Sequence, residues 1–226
     1  MFITVVGGGN STAIFAALAK TAGHDVAILT RRPEAWSAQL GFVNEDAGYL
    51  DGAESLEAEV DIITADPAAC IPQSDMIFIA GLPIHHNATV LAAIKPHMDM
   101  AKKVFVGTIC AYGGFDWVAA KTLGAGAYVS FGTQLIPWCC GTKVYGKQGV
   151  VFGAKRLLRV ATSSGNDEDG VKDVLKVRAR ACGCVGRVCV GRFAARFGAR
   201  SCVEGVVLSI RCYHSEAGAV CGRAPV

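Results

Sequence analysis

Apolar and polar positions along the first 162 residues switch between two periods. Phe2–Val6 is a short, continuous, largely β-branched run, the pattern of a strand buried on both faces. The cluster Gly7-Gly8-Gly9 interrupts it. From Asn10 to Ala22 apolar side chains recur at i, i+3 and i+4, with Ala13, Ile14, Ala17 and Leu18 on one face. This predicts an amphipathic helix, with Gly23 as its stop. Val26–Thr30 returns to a strand run. The pattern then weakens: Pro33–Leu40 predicts a short helix, the acidic stretch to Glu59 a loop or hairpin, and Asp61–Thr64 a further strand. Asp66-Pro67 predicts a capped helical turn, since proline suits a first helical position. Met76–Ala80, ending at Gly81, predicts a buried parallel strand. Asn87–Met98 predicts a helix with Val90, Leu91 and Ile94 as its apolar face, and Lys103–Thr108 another buried strand. Phe115–Leu123 predicts a helix stopped by Gly124. Tyr128–Ile136 and Lys143–Thr162 are β-rich. Strands alternating with helices at this spacing define the expected fold class: α/β, a Rossmann-like doubly wound, mostly parallel sheet.

From Ser163 onward neither period is sustained. The expected organisation is therefore a dinucleotide-binding Rossmann domain over 1–162 and an irregular Arg/Cys/Gly-rich tail over 163–226. Charge follows the same division. After Lys176 there are eight arginines, no lysine, six cysteines and only two acids, Glu204 and Glu216. The chain's formal charge of +3 thus arises wholly from the tail. That composition is what a GC-rich coding region yields when read out of frame, so the tail is expected to be disordered or out-of-frame, and its basic surplus is not read as a nucleic-acid footprint. No run approaches the ~20 apolar residues of a membrane span. The chain enters its first strand without a basic and then apolar leader, which predicts a cytoplasmic protein whose ten cysteines are reduced thiols. The tail cysteines form no C-x-x-C pairs, so no metal site is expected.

The candidate chemistry begins at the first turn. Gly7-x-Gly9-x-x-Thr12 lies between a predicted strand and helix, where glycines let the backbone approach a pyrophosphate and the helix N-terminus attracts its charge. Gly7, Gly9, Asn10 and Ser11 are the expected pyrophosphate cradle. Thr12 stands where glycine or alanine is usual; it either tightens helix against strand or turns its hydroxyl to a phosphate. The second strand ends Thr30-Arg31-Arg32, with no acid until Glu34. An acid there accepts from the ribose 2′-hydroxyl of NAD, whereas arginine accommodates a 2′-phosphate, so NADP is preferred over NAD. Leu82 and Pro83, following a buried strand, are expected along the cofactor's path. His85 and His86 open the next helix, and Thr108, Ile109 and Cys110 end the following strand near the expected nicotinamide. None of these is assigned as catalytic.

The order of short motifs resembles the opine (octopine/nopaline) dehydrogenases. The resemblance is carried by Gly7-Gly8-Gly9-Asn10, Gly113-Gly114-Phe115-Asp116 and Leu135-Ile136-Pro137-Trp138 followed by Tyr145-Gly146-Lys147, and covers residues 2–162. It implies reductive condensation of an amino acid with a 2-oxo acid, NADH or NADPH reducing the imine. It also implies a second, mostly helical module with the substrate pocket and a catalytic histidine, which the tail does not resemble. Where the family tends to carry an arginine after Pro-Trp, this chain has Cys139-Cys140-Gly141. The expectation is thus a chain that binds cofactor but is incomplete as an enzyme. Two alternatives share the predicted architecture: a reductase related to ketopantoate reductase or glycerol-3-phosphate dehydrogenase, and a non-catalytic nucleotide-binding module with a basic interaction tail.

Overall fold

Four apolar residues and a threonine make β1 (Phe2–Val6) a strand that needs cover on both faces: the helix over 10–21, with a second sheet outside it, covers one, and the helices over 87–94 and 115–123 cover the other. The computed structural model describes residues 1–155, 157–163, 171, 187–192 and 206–211. Six strands run parallel in the order β5 (Ile62–Thr64), β2 (Asp25–Leu29), β1, β6 (Met76–Ile79), β7 (Phe105–Thr108) and β8 (Val129–Thr133). The order reverses between β1 and β6, the switch point at which open α/β sheets bind ligands. β11 (Leu157–Thr162) adds antiparallel to β8. The backbones of β13 (Val206–Arg211) and β12 (Arg187–Arg192) continue the sheet antiparallel beyond it. These two strands fall in the tail that was expected to be irregular; the other expectations for that tail lie outside the described residues.

A second sheet has the order β4 (Ser55–Glu59), β3 (Gln39–Asn44), β10 (Gln148–Ala154) and β9 (Trp138–Val144). Two sequence expectations change here. The predicted helix over Pro33–Leu40 is one 3₁₀ turn, Pro33–Ala35, and then β3, because Leu40 and Phe42 alternate into the core and are buried. Helix α1 (Asn10–Thr21), predicted to bury one face, is buried from Ser11 through Ala19. The second sheet lies across its outer side: a Cβ at Gly149 of β10 would meet Ile14 Cγ1 at 3.1 Å. A helix covered all round must be apolar all round, and four alanines let both sheets approach it.

The other helices are α2 (Asn87–Ile94) and α3 (Phe115–Leu123). The apolar stretch to Met98 continues past Ile94 only as the 3₁₀ turn Lys95–His97, since Pro96 has no N–H to extend the helix. Inside the main core, Phe15 of α1, Phe78 of β6 and Phe131 of β8 stack in succession, at centroid distances of 4.5 and 5.5 Å. Gly107 of β7 makes room for this ladder: a Cβ there would come within 2.3 Å of the Phe131 ring.

Candidate functional site

The glycine turn sits where β1, β2 and β6 end together. Gly7 N–H donates to Leu29 O at 3.0 Å, and its φ of +146° is a conformation L side chains rarely adopt. A Cβ at Gly9 would lie 2.4 Å from Gly81 O, and one at Gly81 2.8 Å from Gly9 Cα. The turns after β1 and β6 are therefore packed backbone against backbone. No side chain caps α1, whose N-cap is Gly9 itself, so its dipole faces the turn without competition from a protein anion.

A cleft of about 540 Å³ opens over this turn, within the range of small-molecule sites. Its floor is Gly7–Gly9. One wall is Thr30, Arg31 and Arg32; the other is Leu82, Pro83 and His86, extended by Val90, Ala93 and Ile94 of α2. Tyr145, from the β9–β10 hairpin, closes one end. No carboxylate lines the cleft, and among the described residues neither Arg31 nor Arg32 is in an ion pair. The cradle fits a phosphate-bearing ligand: a Cβ at Gly8 would project between Thr30 Oγ1 at 3.4 Å and Tyr145 Oη at 3.2 Å, filling the space beneath two hydroxyls.

Of the sequence candidates, Gly7, Gly9, Thr30, Arg31, Arg32, Leu82 and Pro83 are brought together around the cleft. Asn10, Ser11 and Thr12 do not line it. Asn10 Oδ1 accepts from Thr142 of β9 at 2.5 Å, and Ser11 faces the Cys140 thiol. Thr12 is fully buried and its hydroxyl donates to Ala80 O at 3.0 Å. This bond fits the packing role of the two expected for it, since the hydroxyl is held by the residue after β6. His86 lines the cleft and His85 does not, though their rings lie 4.1 Å apart. Cys110 is also outside it. Burial pushes its thiol up, as it does for Cys140 and Cys70, which disfavours thiolate chemistry at all three. Among the described residues no cluster of histidines, cysteines and acids could hold a metal, and no helix is long and apolar enough to cross a membrane.

The sequence reading did not place Tyr145, Gly8 or the α2 face at the site. Tyr145 entered the sequence reading only within the Tyr145-Gly146-Lys147 motif, with no role assigned to it. Gly146 has φ +69°, and a Cβ there would strike Ala35 O at 1.9 Å, so the hairpin turn is pressed onto the segment after Arg32.

A parallel sheet with a glycine turn at its switch point and a basic, carboxylate-free wall defines a Rossmann-type domain. No protein-family model matches the chain. The uncharacterized protein y4xO of Sinorhizobium fredii is 32% identical over 166 residues, covering 71% of this chain and 43% of that protein. Octopine dehydrogenase of Mizuhopecten yessoensis is 27% identical over 179 residues, covering 74% and 43%. A structure of octopine dehydrogenase with NADH and L-arginine superposes with a TM-score of 0.68 at 21% identity, covering 77% of this chain and 46% of that one. Yersinopine dehydrogenase with NADP⁺ bound gives 0.63 at 12% identity, covering 80% and 46%. The octopine dehydrogenases found by sequence and by structure support a likeness of this chain to the N-terminal domain of the opine dehydrogenase family. It spans less than half the length of the curated relatives it matches.

Proposed function

We propose that this chain is the cofactor-holding part of an NAD(P)-dependent oxidoreductase that condenses an amino acid with a 2-oxo acid, and that it prefers NADP. One observation carries the preference: the wall beside the glycine turn is Thr30-Arg31-Arg32, and no carboxylate is present to accept from a ribose 2′-hydroxyl. Gly7–Gly9 and the first turn of α1 would hold the pyrophosphate. The Thr30 hydroxyl and the two guanidiniums would hold the 2′-phosphate, because charge-assisted hydrogen bonds from a planar fork match phosphate geometry. Leu82 and Pro83 line the way toward the nicotinamide, their apolar surface excluding water from it. When bound, the nicotinamide supplies the hydride of the reaction. The relatives support both forms of the cofactor, since one was solved with NADH and another with NADP⁺.

The residues assigned here hold the cofactor, and the substrate pocket that the family resemblance implies is assigned to none of them. Cys70, Cys110, Cys139 and Cys140 are free thiols, which fits a reducing compartment.

Titration of the full chain with NADPH and with NADH, followed by tryptophan quenching or calorimetry, tests the reading. Charge-assisted bonds to the 2′-phosphate are worth about 1.5–3 kcal/mol, so NADPH should bind roughly tenfold or more tighter than NADH. Equal affinities, or tighter NADH, would overturn the NADP preference; binding of neither would overturn the cofactor assignment. Opine formation by this chain should be slower than about 1 s⁻¹, at the low end of ordinary enzyme rates, and faster turnover would refute the division of labour.

A further inference from the structure

The cleft has one polar member that comes from the second sheet. Tyr145 occupies the turn between β9 and β10, about 115 residues after the arginines it meets, and three backbone contacts hold it in place. Gly146 sits against Ala35 O in a conformation that admits no side chain. Ser37 N–H donates to Gly146 O at 2.9 Å, and Gly41 N–H to Lys147 O at 2.9 Å. Trp36, buried, packs its ring edgewise against the tyrosine at 5.9 Å. Held this way, the phenol reaches back over the glycine turn. Arg32 Nη2 donates to Tyr145 Oη at 3.3 Å, and the guanidinium carbon lies 5.2 Å from the ring centroid. Arg31, its neighbour, has no comparable anchor among the described residues and is exposed.

An arginine on an exposed strand end pays rotamer entropy to meet a phosphate, and a guanidinium already held by a ring and a hydroxyl pays less. We propose that Tyr145 is a positioning and specificity-determining residue for the 2′-phosphate. It holds Arg32 in the orientation that meets that group, so discrimination between NADP and NAD depends on a side chain of the second sheet. The proposal rests on the NADP reading above.

The test uses adenosine 2′,5′-bisphosphate and 5′-AMP, ligands that differ in the 2′-phosphate, with calorimetry on the full chain. Tyr145→Phe keeps the ring and removes the hydroxyl; Tyr145→Ala removes both. The bond from the guanidinium to the phenol is long and exposed, so Tyr145→Phe should narrow the bisphosphate-to-AMP affinity ratio about two- to tenfold, and Tyr145→Ala, which also removes the ring under the guanidinium, should narrow it further. In an Arg32→Ala background neither change should narrow the ratio again, because the group it orients is gone. Wild-type protein that binds both ligands equally would sink the NADP reading and the proposal together. Wild-type discrimination that survives in both tyrosine variants would overturn the proposal alone. So would an equal loss for both ligands, the mark of a purely structural residue, or an undiminished tyrosine effect without Arg32.

Discussion

Gly9→Ala isolates close backbone approach from every other property of the glycine turn. Gly9 has φ −94° and ψ −177°, an extended conformation that alanine adopts freely, so no backbone strain accompanies the change. The added methyl would stand 2.4 Å from Gly81 O and 2.8 Å from Gly81 Cα. Both are main-chain atoms and cannot swing aside. To reach ordinary contact near 3.4 Å, the β6 turn must recede from the β1 turn by about 1 Å. It carries Leu82 and Pro83 with it, opening the cleft on the side expected to guide the cofactor. Overpacking of this kind costs about 1–3 kcal/mol, and in a domain of this size each kcal/mol lowers the melting temperature by roughly 2–4 °C. Positioning lost over 1 Å should weaken NADPH binding by about tenfold or more. The control is Gly153→Ala in β10, where a Cβ meets nothing within 4 Å and φ is not positive; its melting temperature and affinity should be unchanged. Thermal melts followed by circular dichroism and NADPH titrations read both quantities. A Gly9→Ala protein that melts and binds like Gly153→Ala would refute the argument that the two turns are fitted main chain to main chain.

Three further outcomes follow from the same geometry. Thr12→Val should lower stability by about 1 kcal/mol through loss of the bond to Ala80 O while leaving NADPH affinity within about twofold, whereas a large loss of affinity would return the hydroxyl to the phosphate site. Phe78→Ala, at the centre of the three-ring ladder and 1% exposed, should cost about 3–5 kcal/mol in urea unfolding, and a cost below 1 would mean the ladder is not the core's organising contact. The carboxyls of Asp61 and Asp75 sit below their ordinary value of 3.8: partial burial raises each, but hydrogen bonds from Lys20 and Val26 N–H to the first, and from Lys102 and Phe2 N–H to the second, outweigh it. Because their folded values are depressed, their stabilisation is present above about pH 4 and disappears as pH falls through the folded values, so urea midpoints of an Asp61→Asn/Asp75→Asn protein should fall less steeply in that window than those of the wild type.

The alternation of strands and helices and the residues of the glycine turn were legible because each is written in a short stretch. β1, the glycine turn and α1 adjoin in sequence, and the helix α3, Phe115–Leu123, has the predicted bounds and ends at its predicted stop, Gly124. Thr30-Arg31-Arg32 follows its strand directly, so the character of the cleft wall was readable once the strand was placed. The second sheet was not legible. β3 and β10 pair in parallel from opposite ends of the domain, with Gly41 opposite Gln148, and neither run announces its partner. Periodicity reports how one element divides its own surface; it cannot report which distant element covers it. The same blindness misjudged α1, whose outer face had no predicted neighbour.

The chain's own order of residues thus determined that a glycine turn would meet two arginines at the edge of a parallel sheet, because propensity, glycine geometry and charge act within a few residues. Tertiary structure alone decided what those arginines face. It drew the Thr12 hydroxyl to Ala80 O, turned Asn10 and Ser11 toward β9, and brought Tyr145 over Gly8 to hold Arg32. Each of these is a contact between segments far apart in the chain; the first forms when α1 packs on the main sheet, the others when the second sheet closes over α1.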